Sequence, residues 1–188
     1  MSMINISSNA TLSTITNLDE KCIQPNAVDI RLDKLFRVDA HSPFILSEDI
    51  KQHRKSYPVP LIESEDGSGS AYHIDKGQYE FSTSHHVTIA DGEAGTIVPR
   101  STLNRNGLFI TCGLYDSGFN GEIGGMIHCN GPAVIYHDTR IGQFVLYTAE
   151  TLHLYNGSYN GQTYWGVNYV WHEKKYARRI WKFYESNQ

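Results

Sequence analysis

Two clusters of residues have the types and spacing for chemistry on a phosphorylated ligand. In Gly113-Leu114-Tyr115-Asp116-Ser117-Gly118-Phe119-Asn120-Gly121, a carboxylate stands between two glycines with an aromatic ring three residues on. A carboxylate in a tight turn at the mouth of a pocket can orient a water as general base. Phe119 offers a flat face to a sugar or base, and the glycines let a ligand approach the main chain. Upstream, Arg100, Ser101 and Thr102 combine a guanidinium fork with hydroxyl and backbone donors, a set suited to phosphate oxygens. Each cluster also has a plainer reading, Asp116 in a hairpin turn and residues 100–102 in a surface turn. Likewise, Arg140 and Gln143 can be a partly buried pair that stabilises a strand. Asp29, between Val28 and Ile30, can cap a turn or pair with Arg31.

Strands must carry these residues. Short β-prone runs lie at 27–32, 78–82, 87–90, 95–98, 107–112, 122–128, 132–136, 142–148 and 164–171, punctuated by Gly, Asn and Asp. Their spacing predicts an all-β sandwich, jelly roll or small barrel. Ser47-Glu48-Asp49-Ile50-Lys51 predicts a capped short helix, and residues 173–185 a terminal one. Residues 1–20, rich in Ser, Thr and Asn, are expected as a loosely ordered N-terminal arm. The β domain is then expected over 21–172, with 63–70 as a flexible surface loop inside it and 173–188 as a C-terminal tail.

Composition bounds the partners. The net charge of −4 is mild and gives no basic footprint for nucleic acid, although local arginines and a metal can still hold a triphosphate. No stretch approaches the roughly 20 apolar residues of a membrane span, and the first residues lack a secretory pattern. Cys22, Cys112 and Cys129, an odd number without close pairing, point to free thiols in a reducing compartment, so the expected location is cytoplasmic. Zinc-dependent nucleobase deaminases use His-x-Glu and Cys-x-x-Cys; the chain has neither, and zinc is not expected.

In order and spacing, several segments resemble the dUTPase and dCTP deaminase superfamily. They are Ile23-Gln24-Pro25-Asn26-Ala27-Val28-Asp29-Ile30-Arg31-Leu32, the 99–108 run, the Asp116 turn and Thr139-Arg140-Ile141-Gly142-Gln143. The opening segment and residues 155–162 look closer to the deaminase branch. The resemblance covers residues from about 20 to about 165 and implies a distorted jelly-roll-like β-barrel (a β-clip) with few short helices. It also implies a homotrimer with active sites at subunit interfaces, for which the 12% content of Phe, Trp and Tyr supplies apolar material. It gives Asp116 the placing of the attacking water, and Phe119 a position under the deoxyribose that excludes a 2′-hydroxyl. Arg100, Ser101, Thr102, Arg105 and Gln143 would hold the nucleotide, and Asp29 would place a magnesium-bound water shell.

Two departures separate the branches. In dCTP deaminases a glutamate on the strand after the aspartate motif moves protons; here that position is Met126, whose thioether cannot. General acid–base help contributes roughly 10²–10⁴-fold. Glu122 lies more than ~13 Å away along the strand. In place of the Gly-Pro and Ser-Arg pairs that follow in deaminases, this chain reads Tyr159-Asn160-Gly161-Gln162-Thr163. A lid would then use Tyr159, Gln162 and the basic tail around Lys174, Lys175, Arg178 and Arg179; by itself that tail reads as a solvated helix. The favoured expectation is a Mg²⁺-dependent pyrophosphatase acting on dUTP or a related deoxypyrimidine triphosphate, with Gly124 and Gly125 leaving room for a modified base. The alternatives are a dCTP deaminase with an unusual acid–base group, or a non-catalytic member binding a nucleotide or protein.

Overall fold

Alternation of apolar and polar side chains builds the long strands of the protein, whose structure, a computed structural model, describes residues 2–63, 67 and 69–161. Fourteen strands occur among them: β1 (Met3–Ile4), β2 (Thr14–Ile15), β3 (Val28–Val38), β4 (Ile45–Leu46), β5 (Lys51–Gln52), β6 (Ser56–Pro58) and β7 (Leu61–Glu63). Then follow β8 (Ser70–Ile74), β9 (Gly77–Thr88), β10 (Glu93–Pro99), β11 (Leu108–Thr111), β12 (Asn120–Cys129), β13 (Ala133–Tyr136) and β14 (Arg140–Thr148). One short α-helix, α1 (Ser101–Arg105), and a 3₁₀ turn at Glu20–Cys22 are the helical elements among the described residues. None of the helices described is long and apolar enough to cross a membrane.

The main sheet runs β1-β14-β3-β9-β12-β11, with β10 also on β14, β2 on β9 and β6 on β3. It curls until β10 meets the segment after β11, where Gly95 and Tyr115 form an antiparallel bridge. Val28, Ile30, Leu32, Phe81, Ile123, Ile127, Ile141, Phe144 and Leu146 fill the interior. Each such side chain contributes about 1.5–3 kcal/mol through burial. Gly95 is needed for this packing, because a Cβ there would lie 2.2 Å from Cζ of Phe144.

The all-β barrel-like architecture agrees with the expected class, and three local expectations are corrected. Residues 47–51 form no helix. The Ser47 hydroxyl accepts from the Ile50 amide at 3.0 Å, as a capping serine would. The Ser47 amide also donates back to the Ile50 carbonyl at 2.8 Å, which closes a β4–β5 hairpin.

The runs at 78–82 and 87–90 are one strand, β9. Between them Thr83 and His85 are buried yet satisfied. Thr83 donates to the Ile123 carbonyl at a bulge in β12, and the His85 ring bridges Thr16 and Arg31. His85 is therefore interior to a strand and not at its end.

The N-terminal arm is pinned and not loose. Met3 and Ile4 pair with β14, Thr14 and Ile15 pair with β9, and Ile6 enters the core. Buried Glu93 accepts from the hydroxyls of both Thr11 and Ser13. Composition misses this because hydroxyl side chains that look solvated are spent on one buried carboxylate. The expected strand at 164–171 and the helical tail lie outside the described residues.

Candidate active site

At one end of β3, β10 and β14 the sequence-predicted phosphate residues come together. Asp29 of β3 lies opposite Gln143 of β14, which in turn lies opposite Val98 of β10. The Asp29 side chain is buried. Its Oδ1 accepts from Gln143 Nε2 at 3.1 Å, and its Oδ2 accepts from Arg140 at 3.0 Å and Gln24 at 3.2 Å. Leaving β10, Arg100 donates its amide to the Ile141 carbonyl and a guanidinium N–H to the Arg140 carbonyl at 3.3 Å. α1 follows at once and exposes Ser101 and Thr102, while Arg105 at its far end is exposed and makes no side-chain hydrogen bond or ion pair among the described residues. One guanidinium, that of Arg140, thus pairs with the Asp29 carboxylate, and that of Arg100 is tied to the Arg140 main chain beside it.

This geometry bears on the expectation that Asp29 places a magnesium-bound water shell. A magnesium-ordering carboxylate needs an oxygen open to metal-bound water, whereas both oxygens here take donors and the residue is 2% exposed. Asp29 instead orients Arg140 and Gln143. No group of three or more His, Cys, Asp or Glu suited to a metal occurs among the described residues.

The Asp116 turn is held from beneath. Gly118 adopts φ +85°, and the Phe119 amide closes the turn on the Asp116 carbonyl at 3.0 Å. Tyr115 is pinned by two main-chain bonds to Gly95, and its hydroxyl accepts from the Gly124 amide at 3.0 Å and donates to the Gly124 carbonyl at 2.7 Å. Burial drives that phenol's pKa well above its usual value, so it is a neutral donor. Asp116 itself is exposed, and its carboxylate makes no hydrogen bond or ion pair among the described residues. It is free to hold a water.

Three residues expected at the ligand are engaged within the fold. Phe119 is 6% exposed, packed edge-on against Tyr115 at 5.1 Å and tilted on Tyr155 at 5.9 Å, so its ring supports the turn and offers no open face. Beside Gly125, a Cβ would sit 2.5 Å from the Thr111 carbonyl; the missing side chain serves close strand packing and leaves no room for a base substituent. Both main-chain polar groups of Gly124 are taken by Tyr115.

Met126 is half-buried, opposite Glu80 of β9 and Thr111 of β11. Glu122, opposite His86, lies beyond the bulge and keeps the expected separation of more than ~13 Å. Burial raises its pKa, and its Oε1 is buried without a hydrogen-bond partner.

Tyr159 joins the Asp116 side. Its carbonyl abuts Gly121, and Asn160 Oδ1 and the Gly161 amide bind the main chain of Asn120. Lys51 donates to the Tyr159 hydroxyl at 2.9 Å, a partner with no signal in the sequence because 108 residues separate the two. Gln162 lies outside the described residues. Tyr115 was missed as well, since a tyrosine in a hairpin turn reads as ordinary β material. The Asp116 and Arg100 clusters are separated along the sheet: Tyr115 is beside Gly95, and Arg100 follows the end of β10 five residues further on, roughly 16 Å.

Comparison with known proteins identifies the family. Residues 5–149 match the family model described as dCTP deaminase-like. A probable deoxyuridine 5′-triphosphate nucleotidohydrolase of Halobacterium salinarum is 29% identical over 137 residues, 73% of this chain and 82% of that protein. A dUMP-forming dCTP deaminase of Mycolicibacterium paratuberculosis is 31% identical over 159 residues, 81% of this chain and 82% of the other. The 2′-deoxycytidine 5′-triphosphate deaminase of Agrobacterium tumefaciens is similar in fold, with a TM-score of 0.50 at 18% identity. That likeness covers 71% of this chain and 42% of the other.

Proposed function

The chain belongs to the dCTP deaminase-like family, and within it we propose that the protein hydrolyses a deoxypyrimidine triphosphate, dUTP foremost, to the monophosphate and diphosphate. The observation that carries this reading is the contrast between two positions. Asp116 is an exposed, unpaired carboxylate, whereas the place of a deaminating glutamate holds Met126. In the reaction, water oxygen bonds to phosphorus, the bond to the diphosphate leaving group breaks, and Asp116 takes the water proton. Arg100, Ser101, Thr102 and Gln143 hold the phosphate oxygens, with Asp29 and Arg140 fixing the clamp. Magnesium, if brought in with the triphosphate, would supply positive charge that offsets the phosphate oxygens beside Arg100 and Gln143.

The ~16 Å between the two clusters supports a homotrimeric arrangement, in which Asp116 of one protomer faces Arg100 of another. Tyr159, held by Lys51, is placed to close the Asp116 side. Deamination is the second reading, favoured by the likeness to the dUMP-forming dCTP deaminase. Product analysis separates the two: diphosphate from dUTP is expected, and ammonia from dCTP without diphosphate from dUTP would overturn the proposal.

A further inference from the structure

At the opposite end of β3, eight residues and roughly 26 Å from Asp29, the chain opens a cavity of about 630 Å³. Its walls include Arg37, Asp39, His41, Arg54, Tyr57 and Lys76. Three permanent cations face one carboxylate, in a chain whose net charge is −4. That carboxylate is engaged locally, its Oδ1 accepting the His41 amide at 2.9 Å. Arg54, a wall residue, is fixed by bonds from one guanidinium nitrogen to the carbonyls of Ala40 and Ser42, which leaves its other N–H donors without a hydrogen bond among the described residues. Arg37 and Lys76 make no ion pair among the described residues. Arg37 is nevertheless held in place, its guanidinium 6.0 Å over the Tyr79 ring and its backbone opposite both Tyr57 and Tyr79.

We infer that this cavity is a second binding site, for a small phosphate-bearing anion. Like charges converge only at a cost unless a counter-charge visits them, and a guanidinium fork beside an ammonium matches phosphate oxygens. The volume lies within the range of small-ligand pockets, and the exposed Tyr57 ring on the wall gives a nucleobase a face to stack on. The shared chemistry is therefore a phosphate group, borne by diphosphate or by a nucleotide. Nothing in this site depends on the Asp116 chemistry.

The test is calorimetric titration of inorganic diphosphate into the Arg100→Ala protein at low salt, which removes the clamp of the proposed active site. One diphosphate per chain is expected, with affinity falling at least tenfold when Arg37→Gln and Lys76→Gln are added. Native protein carrying only those two substitutions should keep its turnover of dUTP. Absence of saturable binding in Arg100→Ala, or binding indifferent to Arg37 and Lys76, overturns the site. A parallel titration with dUMP identifies the source. Loss of dUMP but not diphosphate affinity on Tyr57→Ala assigns a nucleotide, and equal affinities assign the inorganic anion. If native protein fails to cleave dUTP, the functional proposal falls while this titration stays readable.

Discussion

The hydroxyl of Tyr115 occupies both the amide and the carbonyl of Gly124, nine residues away, and so locks the Asp116 turn to the middle of β12. Tyr115→Phe keeps the ring contacts with Phe119 and Phe144 but leaves two buried main-chain groups unsatisfied. A loss of about 1–3 kcal/mol is expected from chemical denaturation. A variant as stable as the native protein would mean that water replaces the hydroxyl.

Asp116→Asn retains shape and removes the charge that orients water. The rate of diphosphate release should fall about 10²-fold or more, with a small change in KM. Near-normal release would show that another group acts as the base.

Asp29→Asn separates an organising role from a metal-bound one. Because the carboxylate pairs with Arg140 and Gln143 inside the fold, the substitution should lower stability by about 1–3 kcal/mol whether or not magnesium is present. A variant with native stability but a raised magnesium requirement would restore the original expectation for this residue.

His85 makes stability depend on pH. Its Nε2 accepts the Arg31 amide while Nδ1 faces the Thr16 carbonyl, so the ring is neutral in the fold. Burial, helped by the Arg31 charge, holds its pKa below the usual 6.5, against the hydrogen bond to Thr16 and the charge of Asp138. The unfolded chain therefore takes up a proton first, and stability should be full above about pH 6.5 and decline as pH falls towards the folded pKa, by up to about 1.4 kcal/mol per unit. Thermal melts of native and His85→Gln proteins between pH 5 and 8 measure the difference. Parallel curves would remove His85 as the cause.

Met126 predicts a negative result: the native protein releases no ammonia from dCTP. Robust conversion of dCTP to dUTP would transfer the acid–base role to another carboxylate, and Glu80, directly across from Met126, is the first to replace.

Strands β3 and β9–β14 were legible in the sequence because turns and alternation are local signals, whereas β1, β2 and β4–β8 were not. Asp116 stands out between glycines, and Arg100 beside hydroxyls, without any knowledge of distant partners. What escaped detection depends on pairing across the chain. The acceptors of Asp29 are met by Arg140 from 111 residues away, and Thr11 and Ser13 are consumed by Glu93 some 80 positions on. The packing of Phe119 escaped for a related reason, since how far a ring is buried is decided by Tyr115 and Tyr155, not by its spacing from Asp116.

The pinned arm also sets the order of folding. Met3 pairs with Tyr147, so β1 must wait for nearly the whole of the described chain before its ladder can form. Long-range pairings of this kind slow folding, because loop-closure entropy is lost before any contact compensates for it. A stopped-flow refolding trace should therefore end in a phase that truncation of residues 1–5 removes. A nascent chain arrested before residue 140 would present β3 without its β14 neighbour, an unpaired edge open to chaperones and to association with other chains.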